Sequence, residues 1–163
     1  MKIGIIADIH DNLINLEKFL KWSKENKIDR IFCCGDVTNW ETIKYLSENF
    51  SGEIHIIRGN MDIYYEEELE YYKNYENHGR YGSLELAGYK IGLCHEPDFF
   101  ENVKEMCECE IVFYGHTHKP FIETRGKTQF VNPGTLGGVF QRGTFAVWDT
   151  ENKKLELKMV DDL

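Results

Sequence analysis

Residues 2–26 run KIGIIADIHDNLINLEKFLKWSKEN. The first six, KIGIIA, are an apolar-rich run of strand length, and from Leu13 onward Leu16, Phe19 and Leu20 recur at helical spacing. Asp11 or Asn12 supplies the side-chain acceptor that starts such a helix. The alternation continues: DRIFCCG (29–35) reads as strand, WETIKYLSENF (40–50) as a helix carrying Ile43, Tyr45, Leu46 and Phe50, and GEIHIIRG (52–59) as strand again. Strand, helix, strand, helix, strand implies parallel strands with crossover helices, a sheet whose ligands bind beyond the carboxyl ends of the strands.

The second half changes character. SLELAG and YKIGLCH (83–95) predict a hairpin about Ala87-Gly88, FFENVKEMCEC (99–109) a short helix, and EIVFYG (110–115) another buried strand. PFIETRGKTQFVNPG (120–134) predicts a second hairpin turning at Arg125-Gly126, and GTFAVWDTENKKLELKMV (143–160) a third turning near Glu151-Asn152. A sheet that begins parallel and ends in hairpins implies two packed sheets with helices outside. With no linker, repeat or low-complexity tract, residues 1–163 are read as one domain. Seven of the nine tyrosines fall between Tyr64 and Tyr89, with EEELE among them. That segment is read as an amphipathic surface helix and loop, with a pocket wall or subunit contact as the second reading.

The 163 residues are 42% hydrophobic and 13% aromatic, enough for one real core. A formal net charge of −9 argues against long nucleic acid, whose phosphates attract stripes of Lys and Arg, but leaves room for a small phosphorylated substrate beside local positive charge such as metal ions. The apolar start lacks the features of a secretory signal and nothing approaches a membrane span, so a cytoplasmic protein without membrane contact is expected; homo-oligomerisation is left open. Cysteines 33, 34, 94, 107 and 109 have no C-x-x-C spacing and are read as reduced thiols.

Polar residues close each predicted strand. Asp8 and His10 end the first, Asp36 the second and Asn60 the third; His95 ends the hairpin strand, and His116 and His118 follow residues 110–114. The i, i+2 pairs Asp8/His10 and His116/His118 reach one point if the backbone there is extended. Carboxylate oxygen with imidazole nitrogen suits manganese, iron, zinc, cobalt or nickel. Three acidic or amide donors and four histidines exceed what one ion needs, so two divalent ions per chain are expected, with Asp36 as the bridge and manganese first among the metals. His55, facing out of its strand, and His78, in a loop, are read as ordinary hydrogen-bonded histidines.

The ordered set D-x-H, G-D, G-N-x-D, a lone His and G-H-x-H stands here as Asp8-Ile9-His10, Gly35-Asp36, Gly59-Asn60-Met61-Asp62, His95 and Gly115-His116-Thr117-His118. It resembles the signature of calcineurin-like metallophosphoesterases, and IRGNMD with the VNPGT text at 131–135 is similar to their small bacterial and archaeal phosphodiesterase branch. The resemblance implies an α/β fold, a four-layer α/β/β/α sandwich of two mixed sheets. It also implies one metal held by Asp8, His10, Asp36 and His118 and a second by Asp36, Asn60, His95 and His116, with Asp36 and Asn60 also counted as catalytic. The activity implied is hydrolysis of a small phosphodiester or nucleotide-like substrate by a hydroxide shared between ions about 3.5–4 Å apart.

Two positions depart from that pattern. Many family members have histidine where Met61 stands, and a thioether cannot protonate a leaving group. Glu96 and Pro97 follow His95 where related sequences often have glycine; they are expected to narrow the pocket or repel an anion. Arg58 is read either as a phosphate contact or as a partner for acidic surface groups, and Asn132-Pro133-Gly134 as a turn packing under the site. Two rival functions remain: a scaffold like the retromer subunit that shares this fold, and a phosphomonoesterase or protein phosphatase.

Overall fold

The computed structural model describes all residues 1–163. The first half forms β1 (Lys2–Ile6), α1 (Leu13–Glu25), β2 (Arg30–Cys33), α2 (Trp40–Asn49), β3 (Glu53–Ile56) and β4 (Tyr75–Asn77). The second half forms β5 (Tyr81–Leu86), β6 (Tyr89–Cys94), α3 (Phe100–Met106), β7 (Ile111–Phe113), β8 (Phe121–Arg125), β9 (Thr128–Asn132), β10 (Thr144–Asp149) and β11 (Lys154–Met159). One sheet has the order β11-β10-β1-β2-β3-β4, parallel from β1 to β4 and antiparallel at β10 and β11. The other has the order β5-β6-β7-β9-β8, parallel across β6, β7 and β9, with antiparallel strands at both edges.

Pleating divides each strand between two cores. From β1, Ile6 packs with Leu16 and Phe19 of α1 and Ile43 and Leu46 of α2. Ile3 and Ile5, pointing the other way, meet Phe32, Ile91, Leu93, Phe113 and Trp148 in the layer between the sheets. A third cluster sets Phe100 and Val103 of α3 against Val112 and Phe130 of the second sheet. Helices, sheet, sheet and helix therefore stack in the expected four layers. Asn12 caps α1, its side chain accepting from the Asn15 N–H at 3.1 Å.

Three local expectations change. The second hairpin turns at Gly126-Lys127, one residue later than expected, because Arg125 already pairs with Thr128. The tyrosine-rich segment is a 3-10 turn (Glu66–Tyr71) followed by β4, not an amphipathic α-helix. Trp40 of α2 takes the rings of Tyr71 and Tyr72 at 6.2 and 5.3 Å, and the Tyr75 hydroxyl donates to the Ile43 carbonyl at 2.8 Å. Tyr71 and Tyr72 also line a cleft of about 790 Å³ at the ends of α1 and α2, and none of the seven candidate ligands lines it. Finally, Cys33, Cys34 and Cys94 are buried thiols, but Cys107 and Cys109 form a disulfide, their Cα atoms 5.2 Å apart and so within the span of such a bridge.

Candidate functional site

The seven residues expected as ligands all leave strands of the two sheets at one end of the sandwich. Backbone bonds stitch these exits together: Asp8 N–H donates to Gly35 O, Ile9 and His10 N–H to Asp36 O, Gly115 N–H to His95 O, and Leu136 N–H to Ala7 O. Extended backbone does not supply the convergence, contrary to the sequence reading. Asp8, His10, Asp36, His116 and His118 have φ of 53°, 46°, 54°, 69° and 58°, in the left-handed region. Non-glycine residues are held there at a cost of roughly 1–2 kcal/mol each, so tight turns rather than strand pleats fold the side chains inward.

Two overlapping clusters result. In the first, Asp8 Oδ1 lies 3.1 Å from His118 Nε2 and 3.8 Å from His10 Nε2, the two ring nitrogens are 3.3 Å apart, and Asp36 Oδ2 is 3.9 Å from His10 Nε2. In the second, Asp36 Oδ2 is 3.3 Å from His95 Nε2, and Asn60 Oδ1 is 3.1 Å from His95 Nε2 and 2.9 Å from His116 Nδ1. Asp36 Oδ2 belongs to both. Asp8 and His95 are wholly buried, and Asp36 nearly so.

The tautomers sharpen the picture. His95 Nδ1 sits 2.7 Å from the Cys34 carbonyl and His118 Nδ1 3.1 Å from that of Val139. A carbonyl only accepts, so each Nδ1 carries a proton and Nε2 is the nitrogen turned into the site, offering its lone pair whenever the ring is neutral. Lone pairs of His118 Nε2 and Asp8 Oδ1 then face each other, and Asp8 Oδ1 is buried with no hydrogen-bond donor. Such a constellation calls for a cation, and its mixed nitrogen and oxygen donors fit a borderline divalent ion.

Electrostatics agree with this. Burial pushes the Asp8 carboxyl up to about 7, against the opposing pull of His95 and His118. Burial acts on Asp36 in the same sense, but the His95 hydrogen bond and charge, the Met61 N–H and His10 outweigh it and hold Asp36 below the ordinary value. His10 is lowered, first by burial. His95 is raised, because Asp36 and Asp8 overcome the effect of its burial.

The supporting shell holds Asp62 and Asp11, to which the sequence reading gave no role at the site, and Asn132, which it placed in a turn packing under the site. Asp62 is buried and accepts from the N–H groups of Gly59, Thr38 and Asp36 at 2.7, 2.7 and 3.2 Å, binding two of the ligand loops to each other. Asp11 does the same for the start of α2, accepting from Asn39 N–H and the Thr42 hydroxyl at 3.1 and 2.6 Å. Asn132 is buried under the histidine loop, donating to Gly115 O at 2.6 Å and Thr117 Oγ1 at 3.1 Å while accepting from Gly134 N–H at 2.8 Å. A Cβ at Gly59 would fall 2.4 Å from Asp36 N, a backbone atom that cannot retreat. The G-N-x-D and N-P-G texts are the visible signals of these roles.

Of the questioned residues, Arg58 is occupied structurally, donating to the carbonyls of Asp62 and Tyr64 at 2.9 Å. Glu96 pairs with Arg80 at 2.9 Å, which offsets the charge expected to repel an anion. Met61 stands at the site with a half-exposed side chain while its N–H donates to Asp36 Oδ1 at 2.8 Å. His55 is buried rather than outward-facing, because β4 and the second sheet cover it.

The chain belongs to the calcineurin-like phosphoesterase superfamily, whose domain matches residues 1–153, and so to the enzymes that hydrolyse phosphoesters. It is 29% identical to the phosphodiesterase MJ0936 of Methanocaldococcus jannaschii over 162 residues, covering 94% of this chain and 96% of that one. A solved archaeal phosphodiesterase superposes with a TM-score of 0.87 at 26% identity, over 98% of this chain and 99% of the other. The zinc complex of Vps29 from Entamoeba histolytica shares the fold alone, with a TM-score of 0.72 at 18% identity over 98% and 99% of the two chains. No helix is long and apolar enough to cross a membrane.

Proposed function

We propose that this chain is a divalent-metal-dependent phosphodiesterase for small, nucleotide-like phosphodiesters, working as one domain over residues 1–163 with two ions, manganese first among them. The observation that carries this reading is the pair of donor clusters sharing Asp36 Oδ2, with Asp8 Oδ1 buried and undonated. The likeness to MJ0936 along nearly its whole length supports the diester class.

Asp8, His10, Asp36 and His118 would hold one ion, and Asp36, Asn60, His95 and His116 the other. Two divalent ions bound there would lower the pKa of water toward neutrality and offset charge building on a phosphoryl group. The chain's own part is positioning: the Cys34 and Val139 carbonyls fix the rings of His95 and His118, and Asp62 and Asn132 fix the loops. Phe140, 92% exposed, stacks near His118 with ring centroids 6.1 Å apart, giving an aryl or nucleobase group a face to rest on. Because Met61 donates no proton, turnover should favour good leaving groups. We place the enzyme in the cytoplasm, where the buried thiols Cys33, Cys34 and Cys94 stay reduced and the Cys107–Cys109 bridge would be the exception.

The test is hydrolysis of bis-aryl and mono-aryl phosphates by metal-stripped protein refilled with manganese, nickel, zinc or magnesium. Diester turnover that depends on added metal and disappears in Asn60→Ala is the expected result. Metal uptake without turnover of any ester would overturn it in favour of a scaffold, and preference for monoesters would overturn the substrate class.

A further inference from the structure

Away from the seven ligands, a second group of donors meets at the lateral edge of the sandwich. His55 on β3 stands directly opposite Glu76 on β4, and His78 follows the end of that strand. His55 Nδ1 is 3.0 Å from His78 Nε2 and 3.3 Å from Glu76 Oε2, and His78 Nε2 is 3.7 Å from Glu76 Oε1. Donors arranged tetrahedrally at about 2.0–2.1 Å from zinc lie about 3.3 Å from one another, close to the His55–His78 and His55–Glu76 Oε2 separations, while the other Glu76 oxygen, Oε1, is the one nearer His78. All three separations also fall within the 2.9–3.9 Å range of the two clusters described above.

We propose that His55, Glu76 and His78 form a third metal site, which takes one zinc or similar borderline divalent ion and clips the edge strand β4 to β3.

Burial holds both histidines below the ordinary imidazole value, so their rings are neutral and offer lone pairs at neutral pH. Arg30 donates to His55 Nε2 in this structure, so binding an ion through Nδ1 would move the ring proton from Nδ1 to Nε2, with Glu53 Oε2 3.7 Å away to accept it. Arg30 Nη1, now 3.2 Å from Nε2, would keep its existing pairing with Glu53 instead. A carboxylate behind a metal-bound histidine is the usual second partner of such sites. The His55 side chain is only 3% exposed and that of His78 9%, whereas Glu76 is 49% exposed, which leaves solvent an entry and a fourth coordination position for water. The clip has a structural purpose. β4 is a three-residue edge strand, and a Cβ on Gly82 of β5 would touch His78 Cβ at 2.8 Å, so the ion would sit where the exposed edges of both sheets meet.

The experiment counts zinc bound to the full chain after equilibrium dialysis, in wild type, His78→Ala and Glu76→Gln. The reading is the difference between proteins, so it does not depend on how many ions the seven-residue set holds. Wild type should retain one zinc per chain more than His78→Ala, with circular dichroism and phosphoester turnover unchanged, and Glu76→Gln should weaken that ion about tenfold or more. Equal zinc content in wild type and His78→Ala overturns the proposal. Should His78→Ala fail to fold, the ring nitrogens of wild-type His55 and His78 decide by NMR: zinc must shift His55 Nδ1 and His78 Nε2, and unmoved resonances overturn it.

Discussion

Replacing Asp8 by asparagine should stabilise the metal-stripped protein at neutral pH and leave it nearly unchanged in acid. Asp8 is wholly buried, and burial raises its carboxyl from the ordinary 3.8 to about 7 despite the attraction of His95 and His118. The sign follows from proton counting. Between about pH 4 and pH 7 the folded chain keeps a proton that the unfolded chain has released, so stability falls as pH rises through that window. Above it the full penalty is present, about 4 kcal/mol for a displacement of this size. Asparagine has no charge to bury and can still accept from the His116 N–H that Asp8 Oδ2 now receives at 3.0 Å. Urea unfolding in chelator, run for both proteins at about pH 4 and about pH 8, reads the difference directly. The advantage of the variant should grow from near zero to about 4 kcal/mol. A difference that stays flat with pH would refute the reasoning. With manganese at saturation the order should invert, since the ion takes over the charge of Asp8.

Three further expectations follow from the same geometry. Met61→His should speed cleavage of poor leaving groups more than good ones in a series of aryl diesters; an equal effect on both would remove proton donation as the explanation. Gly59→Ala should lower metal content at the seven-residue set and abolish diester turnover, because its Cβ strikes the Asp36 backbone at 2.4 Å; normal metal loading would contradict the close-approach argument. Asn132→Ala leaves Gly115 O and Gly134 N–H without their buried partner, a loss of roughly 1–3 kcal/mol each in thermal or urea unfolding, with turnover falling as the His116 and His118 loop loosens.

The early strands and helices were legible because burial imposes period and length: Ile3 and Ile5 against Ile6, and Leu16, Phe19 and Leu20 on α1, follow from pleat and helical pitch alone. The site residues were legible as types at strand exits, but their backbone was not. A positive φ at Asp8 or His118 comes from bonds such as Asp8 N–H to Gly35 O, which join residues far apart in the chain. The same reason hid the role of Asp62, which reads locally as a turn residue and acquires its part from other loops; Asn132 was legible as a turn packing under the site, but its partners Gly115 and Thr117 were not. His55 misled because neither β4 nor its pairing with β3 is legible in the tyrosine-rich text, where Trp40 and Ile43 of α2 decide how the chain lies.

The seven donors are drawn from loops of both sheets, and Asp8, from the first, touches His116 and His118, from the second. No half of the sandwich can assemble the cradle by itself. Cation affinity is thus an intrinsic gauge of completed maturation: ions reward only those chains whose two halves have closed on each other, and a lesion in the apolar seam, at Phe32 or Phe113 for instance, should surface first as leaky metal retention.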